Sequence, residues 1–495
     1  MGSVGNVALA GVLIGIALLA ARYPYGALRG LLVLLPLHSA YVLLLGNVML
    51  VGGATLTMLS AWKEAVIVGL AIAALLMLRS RWRSLHPVHW IALVLLTMIM
   101  VRGASDLITI PDRGIAILYG ARQLGEFLVL LLAVTVLRPS PAWFLGTAKL
   151  VLPAIVLCAL FAIAQPTLGN VFYDEFFHGP GEELHHSYLV NIGEVRRLRA
   201  VGTFIAPNEL GLGLIVYGLV FVLPLMAILR RWRMIALAGM LLGIALLLSF
   251  SRSAWLGLAL GVTVIGLLMF RDLRRLWRDG MLVKTPIREI LVGLAAAAAG
   301  AIVVFVLVGG VTLLVGTVSG TESSAAGRGE SLGRGLEATF DNPGGLGLGT
   351  AGPRALELTG SSVLTENWYF VYSIQLGVVA LAVLAALSVA SLASVAGALR
   401  HTLARLRPPY GDWLADRYRV AVTAGTAVSL VAALVGGVVI PALLDLPASL
   451  ALWASVGIVI GWMTQSDADR ASNGPDRVAG SGTNRGRWQH PWDRE

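Results

Sequence analysis

Charge is what this chain has least of. Only 13% of its 495 residues are Asp, Glu, Lys or Arg, while 57% are hydrophobic. Soluble globular domains carry about 25% charged residues. With a mean hydropathy of +0.82, the composition excludes a water-soluble globular domain. Alternating segments of about ten residues, the mark of an outer-membrane barrel, are also missing. There is one cysteine, Cys158. No intrachain disulfide can form, and its place in an apolar run predicts a buried structural thiol. Acidic residues are fewer than basic ones, leaving a formal charge of +10. In a chain that crosses a membrane many times, excess Lys and Arg mark cytoplasmic loops, so this charge is no argument for nucleic acid. Neither an internal repeat nor an inverted pair of broken helices of the transporter kind is visible.

What is there is a succession of apolar runs. Lipid forces the backbone to satisfy itself, so each run of about 20 apolar residues reads as a helix. The expected architecture is all-α: a polytopic bundle of about 12–14 membrane helices. Thirteen are placed near 5–21, 29–47, 64–79, 88–103, 114–136, 143–164, 204–228, 234–249, 254–270, 290–317, 366–396, 418–442 and 447–464. Residues 47–62 read either as a re-entrant piece or as part of another helix. The N-terminal stretch lacks the basic start of a secretory signal and reads as the first membrane helix. The basic loops at 79–83, 230–233, 271–278 and 400–407 are predicted to be cytoplasmic. Helix parity then puts loops 165–203 and 318–365 outside. Residues 1–464 make one membrane domain, and 465–495 a disordered cytoplasmic tail.

Four unusual stretches fall on the outer side. L-R-A-V-G-T-F-I-A-P-N-E-L-G-L-G, from Leu198 to Gly213, opens the seventh span with Pro207 in its first turn. Arg199 sits just outside and Asn208 just inside. They are either an interface anchor and an interhelical bond, or part of a polar site. L-S-F-S-R-S-A-W-L-G, residues 248–257, sets Arg252 in the turn between spans eight and nine. Arg252 either anchors the interface beside Trp255 or grips an anion at a cavity mouth. From Ala325 to Gly352, Leu332, Leu336 and Phe340 recur at helical spacing, and a glycine-rich turn follows. Its glycines are expected to be flexible, with backbone N–H groups open to an anion. Arg328 reads as the anion ligand there and Arg334 as a rim charge. L-T-E-N-W-Y-F-V-Y, from Leu364 to Tyr372, starts the eleventh span. There Thr365 is expected to cap the helix, and Glu366 either favours the helix dipole or serves as a base.

Two other groups carry less. Glu182, Glu183, His185 and His186 crowd one loop, but adjacent residues rarely ligate one metal. They read as a solvated face. Asp467 and Asp469 form a D-x-D string on the opposite side from the four stretches.

The order R-x-x-G-T-F-x-x-P-N-x-x-G, S-x-S-R-S-A-W-x-G, G-R before a short helix and P-x-x-L-G-x-G, then E-N-x-Y resembles the O-antigen ligase and O-antigen polymerase family. Members of that family are multi-spanning glycosyltransferases related to the GT-C architecture. The resemblance implies transfer of a glycan from an undecaprenyl-diphosphate carrier to a glycan, lipid or protein acceptor. It places that transfer on the outer face of the bacterial cytoplasmic membrane. It implies no cofactor and no metal, and membrane lipids as the surroundings. Anion-binding roles follow for Arg199, Arg252 and Arg328. Where the ligases usually show a histidine before the asparagine, this chain has Glu366 followed by Asn367. That shifts weight toward a polymerase or another glycan transferase. Glu366 is then the candidate base. Asn208, Arg334, Asn367 and Tyr369 are the candidate substrate-binding residues. The competing class is a lipid-linked glycan flippase or exporter, which would need charges along a path through several helices.

Overall fold

The computed structural model describes residues 2–81, 85–173, 188–192, 195–229, 232–279, 323–352, 355–360, 363, 365, 367–405, 413–438 and 447–472. The protein is a polytopic all-α membrane bundle. In chain order the helices are α1 (Gly2–Arg22), α2 (Pro24–Leu43), α3 (Gly53–Ser60), α4 (Trp62–Arg81), α5 (Pro87–Thr109), α6 (Gly114–Leu137), α7 (Pro141–Tyr173), α8 (Pro207–Tyr217), α9 (Leu223–Ile228), α10 (Trp232–Leu248), α11 (Arg252–Leu268) and α12 (Phe270–Arg278). After them come α13 (Ser323–Asp341), α14 (Ala355–Thr359), α15 (Trp368–Leu376), α16 (Val378–Arg405), α17 (Trp413–Gly436) and α18 (Pro447–Ser472). One antiparallel hairpin, β1 (Leu189–Ile192) with β2 (Val195–Leu198), precedes α8.

Eight helical segments are long and apolar enough to cross a membrane, and ten if each of two bent pairs is one span. With the shorter apolar helices Val7–Arg22 and Arg233–Leu248, twelve of the thirteen expected spans have a counterpart. The thirteenth, 290–317, lies outside the described residues. The ambiguous stretch at 47–62 holds α3, which meets α4 at a 42° bend. The eleventh span is broken at Gly377 (φ +91) into α15 and α16. At the C-terminal end α18 runs on to Ser472, past the expected helix end at 464.

Small residues let the helices approach. A Cβ on Gly257 would lie 2.6 Å from the Ala432 carbonyl, and one on Gly261 2.6 Å from that of Val428. This G-x-x-x-G face presses α11 against α17, where dispersion and close backbone contact replace the hydrophobic drive that lipid cannot supply. Cys158 is fully buried, in keeping with a structural thiol. Three of the four basic loops share one end of the bundle. Arg81 donates to the Val136 and Leu137 carbonyls, and Arg400 to that of Leu268. There α12, with Arg271, Arg274, Arg275 and Arg278, turns 64° off α11. An in-plane helix of this composition suits a membrane interface.

Candidate functional site

The turn between α10 and α11 is tight, with Phe250 at φ +48, a left-handed conformation that costs a bulky residue energy. The turn is held from outside. Arg199 donates Nε to the Ser249 carbonyl at 3.0 Å and one terminal nitrogen to the Asn208 Oδ1 at 2.9 Å and the Phe250 carbonyl at 3.5 Å. The Ala200 amide adds a bond to the Leu248 carbonyl at 2.8 Å. The first two motif stretches are therefore one unit, and Arg252, half-buried, opens α11 directly beyond it. Pro207 stands at the first position of α8, as expected. Behind it the buried Glu209 carboxylate accepts the Ile205 amide at 3.3 Å, and the Tyr188 hydroxyl donates to the Ile205 carbonyl at 2.8 Å.

Asn367, not Thr365, is the N-cap of α15. Its Oδ1 accepts the Tyr369 and Phe370 amides at 2.9 and 3.2 Å, while Thr365 Oγ1 accepts the Asn367 amide at 3.2 Å. Asn367 Nδ2 donates to the Val438 carbonyl at 2.8 Å, the Trp368 amide to that of Gly437 at 2.9 Å, and Tyr369 Oη to that of Leu434 at 2.9 Å. The start of α15 is thus tied to the end of α17. The antiparallel pairing of Gly257 with Ala432 and Gly261 with Val428 carries Arg252 to the level of residue 437 on that same end. Arg252 and Asn367 flank it from two sides.

Helix α13 lies parallel to α15. A Cβ on Gly335 would sit 2.5 Å from Phe370, and Thr339 Oγ1 is 2.7 Å from Ser373 Oγ. One turn earlier, buried Ser331 comes level with Asn367, and the backbone of Arg328 lies about a turn further out. The Arg334 side chain is 50% exposed, 3.9 Å from Glu330. Leu332, Leu336 and Phe340 do lie on this helix, but their side chains face outward, and it is Ser331, Gly335 and Thr339 that meet the bundle. Glu366 and the loop residues Glu182, Glu183, His185 and His186 lie outside the described residues, as does the side chain of Arg328.

The glycine-rich stretch corrects the expectation of a flexible anion nest. Gly345, Gly347 and Gly349 all hold positive φ, and their neighbourhood is packed. The amide of Gly345 goes to the Asn342 carbonyl, those of Leu346 and Gly347 to the Ile374 and Gln375 carbonyls. The Leu348 amide goes to Asp106 Oδ2 at 2.8 Å and that of Gly349 to Gln375 Oε1 at 2.7 Å. With these N–H groups spent inside the protein, the loop is a rigid lock between α5, α6 and α15. Arg102 completes it, bonding the Gly344 and Gly345 carbonyls while pairing with Asp106 at 2.9 Å. Gly120 of α6 is where Gly349 presses in, leaving no room for a side chain. Sequence reasoning missed Arg102, Asp106, Gly120 and Gln375. Their one signal was polarity inside apolar helices, with Arg102 and Asp106 spaced to meet on one helix face.

Also missed was a charge cluster within the bundle. Lys63 on α4 reaches both Glu126 oxygens on α6 at 3.1 Å and Glu64 at 3.0 Å, and Arg122 reaches Glu64 at 3.2 Å. Among the described residues no group of three or more His, Cys, Asp or Glu is placed to hold a metal ion.

Among the described residues, a polytopic helical bundle brings these polar motif residues to one end, around the tips of α11, α15 and α17. Residues 237–385 match the family model described as O-antigen ligase, so this part of the chain is similar to that family. Together with the membrane-spanning helices, the match supports a membrane glycan-processing enzyme. The match covers Arg252, Arg328, Arg334, Glu366, Asn367 and Tyr369 and leaves Arg199 and Asn208 upstream of it. No curated protein and no solved structure matches the chain.

Proposed function

We propose that the chain transfers a glycan from a polyprenyl-diphosphate carrier to an acceptor hydroxyl, at the outer membrane face, without a metal. One observation carries the reading: stretches far apart in sequence converge on one end of the bundle, bringing Arg199, Asn208, Arg252, Asn367 and the backbone of Arg328 to the same level. The acceptor oxygen attacks the anomeric carbon, and the bond from that carbon to the diphosphate oxygen breaks. The electron pair leaves with the lipid diphosphate, and the acceptor proton passes to Glu366. The leaving group is a weak base, so it needs its charge held rather than a proton. Arg252 and Arg328 supply this, because a guanidinium binds phosphate oxygens in pairs and stays protonated. Arg199 and Asn208 act at one remove. Their bonds to Ser249, Phe250 and each other fix the turn from which Arg252 projects. Asn367 sets Glu366 by capping the helix that follows it.

The test is transfer by the purified protein from a polyprenyl-diphosphate oligosaccharide to candidate acceptors, with product size distinguishing polymer from ligated product. Arg252→Ala and Arg328→Ala are expected to cut the rate by about 10²–10³-fold, the usual loss of one preorganised charge contact. Lys at either position should recover little, because the paired contact is lost. Full transfer by both alanine variants would remove the site assignment.

A further inference from the structure

A recess of about 20 Å³ opens between α16, α17 and α18, lined among others by His401, Arg405, Arg419, Thr423 and Trp462. It lies toward the other end of α16 from the glycine lock, about 35 Å away along that helix, and no part of the transfer site reaches it. Arg419 spends one terminal nitrogen on Asp416 at 3.4 Å, but its buried Nε meets no acceptor. One turn deeper, buried Thr423 is equally unspent at Oγ1. Thr402 and Thr426, by contrast, return their hydroxyls to carbonyls four residues back at 2.9 Å. An N–H and an O–H therefore face one small recess, with the cationic side chain of Arg405 on its wall. The space admits one oxygen-sized group, and an oxygen bearing negative charge satisfies such donors better than water, which brings hydrogens of its own.

We infer that this recess binds one oxygen of a phosphate group whose remainder sits at its open mouth. Basic recesses between membrane helices suit phospholipid headgroups, and Trp462 supplies the aromatic edge that such an interface favours. A headgroup phosphate and free phosphate share the chemistry, and the experiment separates them.

The full chain, purified in detergent, is titrated with phosphatidylglycerol, with inorganic phosphate and with phosphate-free diacylglycerol, while its thermal unfolding midpoint is followed. Phosphatidylglycerol is expected to raise the midpoint and diacylglycerol to leave it unchanged. The half-effect concentration should rise roughly ten- to hundredfold in Arg419→Gln and in the nearly isosteric Thr423→Val, the worth of one hydrogen bond to a charged group. If inorganic phosphate alone reproduces the shift with the same sensitivity to both variants, the phosphate site stands and its occupant is the free ion. Equal half-effect concentrations in wild type and Thr423→Val overturn the assignment, as does stabilisation by diacylglycerol to the same degree or no shift with either phosphate source.

Discussion

Asn367 uses every polar atom of its amide on backbone, two amides on the oxygen side and the Val438 carbonyl on the nitrogen side. Asn367→Ala removes both functions and should lower stability by about 0.5–2 kcal/mol, the usual cost of a lost cap. Asn367→Asp keeps the acceptor but loses the donor to Val438, so its unfolding midpoint should lie nearer wild type. Transfer should fall in both if the tie to α17 matters for the chemistry, and comparing midpoint with rate for the two variants separates capping from positioning. Tyr188 provides a second handle. Burial first, and then the nearby Glu209 carboxylate, push its hydroxyl up to about 12. An unfolded tyrosine titrates near 10. Between those values the folded protein holds a proton the unfolded chain releases, so stability is whole below about pH 10 and declines as pH rises toward 12. Unfolding midpoints across that window should fall less steeply for Tyr188→Phe.

At the scale of elements, the pair that joins α4 to α6 has the most to lose. The side chains of Lys63 and Glu126 are only 3% and 4% exposed, so each charge is tolerable only because it is paired, Lys63 with both Glu126 and Glu64. Glu126→Gln takes away one of the two carboxylates that hold the buried ammonium and leaves Glu64 at 3.0 Å. It should therefore cost at most about 3–5 kcal/mol, the cost of a fully stranded buried charge, seen as a lowered unfolding midpoint. Replacing both partners by apolar residues, Lys63→Met with Glu126→Leu, should cost much less, since no charge is then stranded. Hydropathy made α4 and α6 legible as spans but not this link. It depends on which faces of two helices meet, and a pair separated by 63 positions leaves no local pattern. The glycine lock was misread for a related reason. Gly345, Gly347 and Gly349 look the same in sequence whether their amides point at a ligand or at Asp106 and Gln375. Polar groups buried in lipid-facing bundles find partners inside the protein first, which is the better starting assumption for such loops.

At the scale of the whole molecule, hydropathy made twelve of the thirteen expected spans legible among the described residues, and parity, which needs only hydropathy and basic loops, put Arg199, Arg252 and Asn367 on one side as an expectation. The contacts that assemble that end, from Arg199 to the Ser249 and Phe250 carbonyls and from Asn367 to Val438, needed coordinates. What parity adds is a direction, and it can be tested without activity. Cys158 is fully buried and should stay silent toward a membrane-impermeant thiol reagent. A cysteine at Glu330, whose side chain is 70% exposed on α13, should then be labelled on intact cells. One at exposed Arg278, in the basic helix beyond α11, should react only after the membrane is opened. The two positions lie at opposite ends of the bundle, since α13 packs beside the tip of α15 and α12 follows the far end of α11. The reverse labelling pattern would leave the convergence of the motifs intact but turn them toward the cytoplasm. A glycan presented on the outer face would then have no route to Arg252, and transfer there would have to be abandoned as the function of this site.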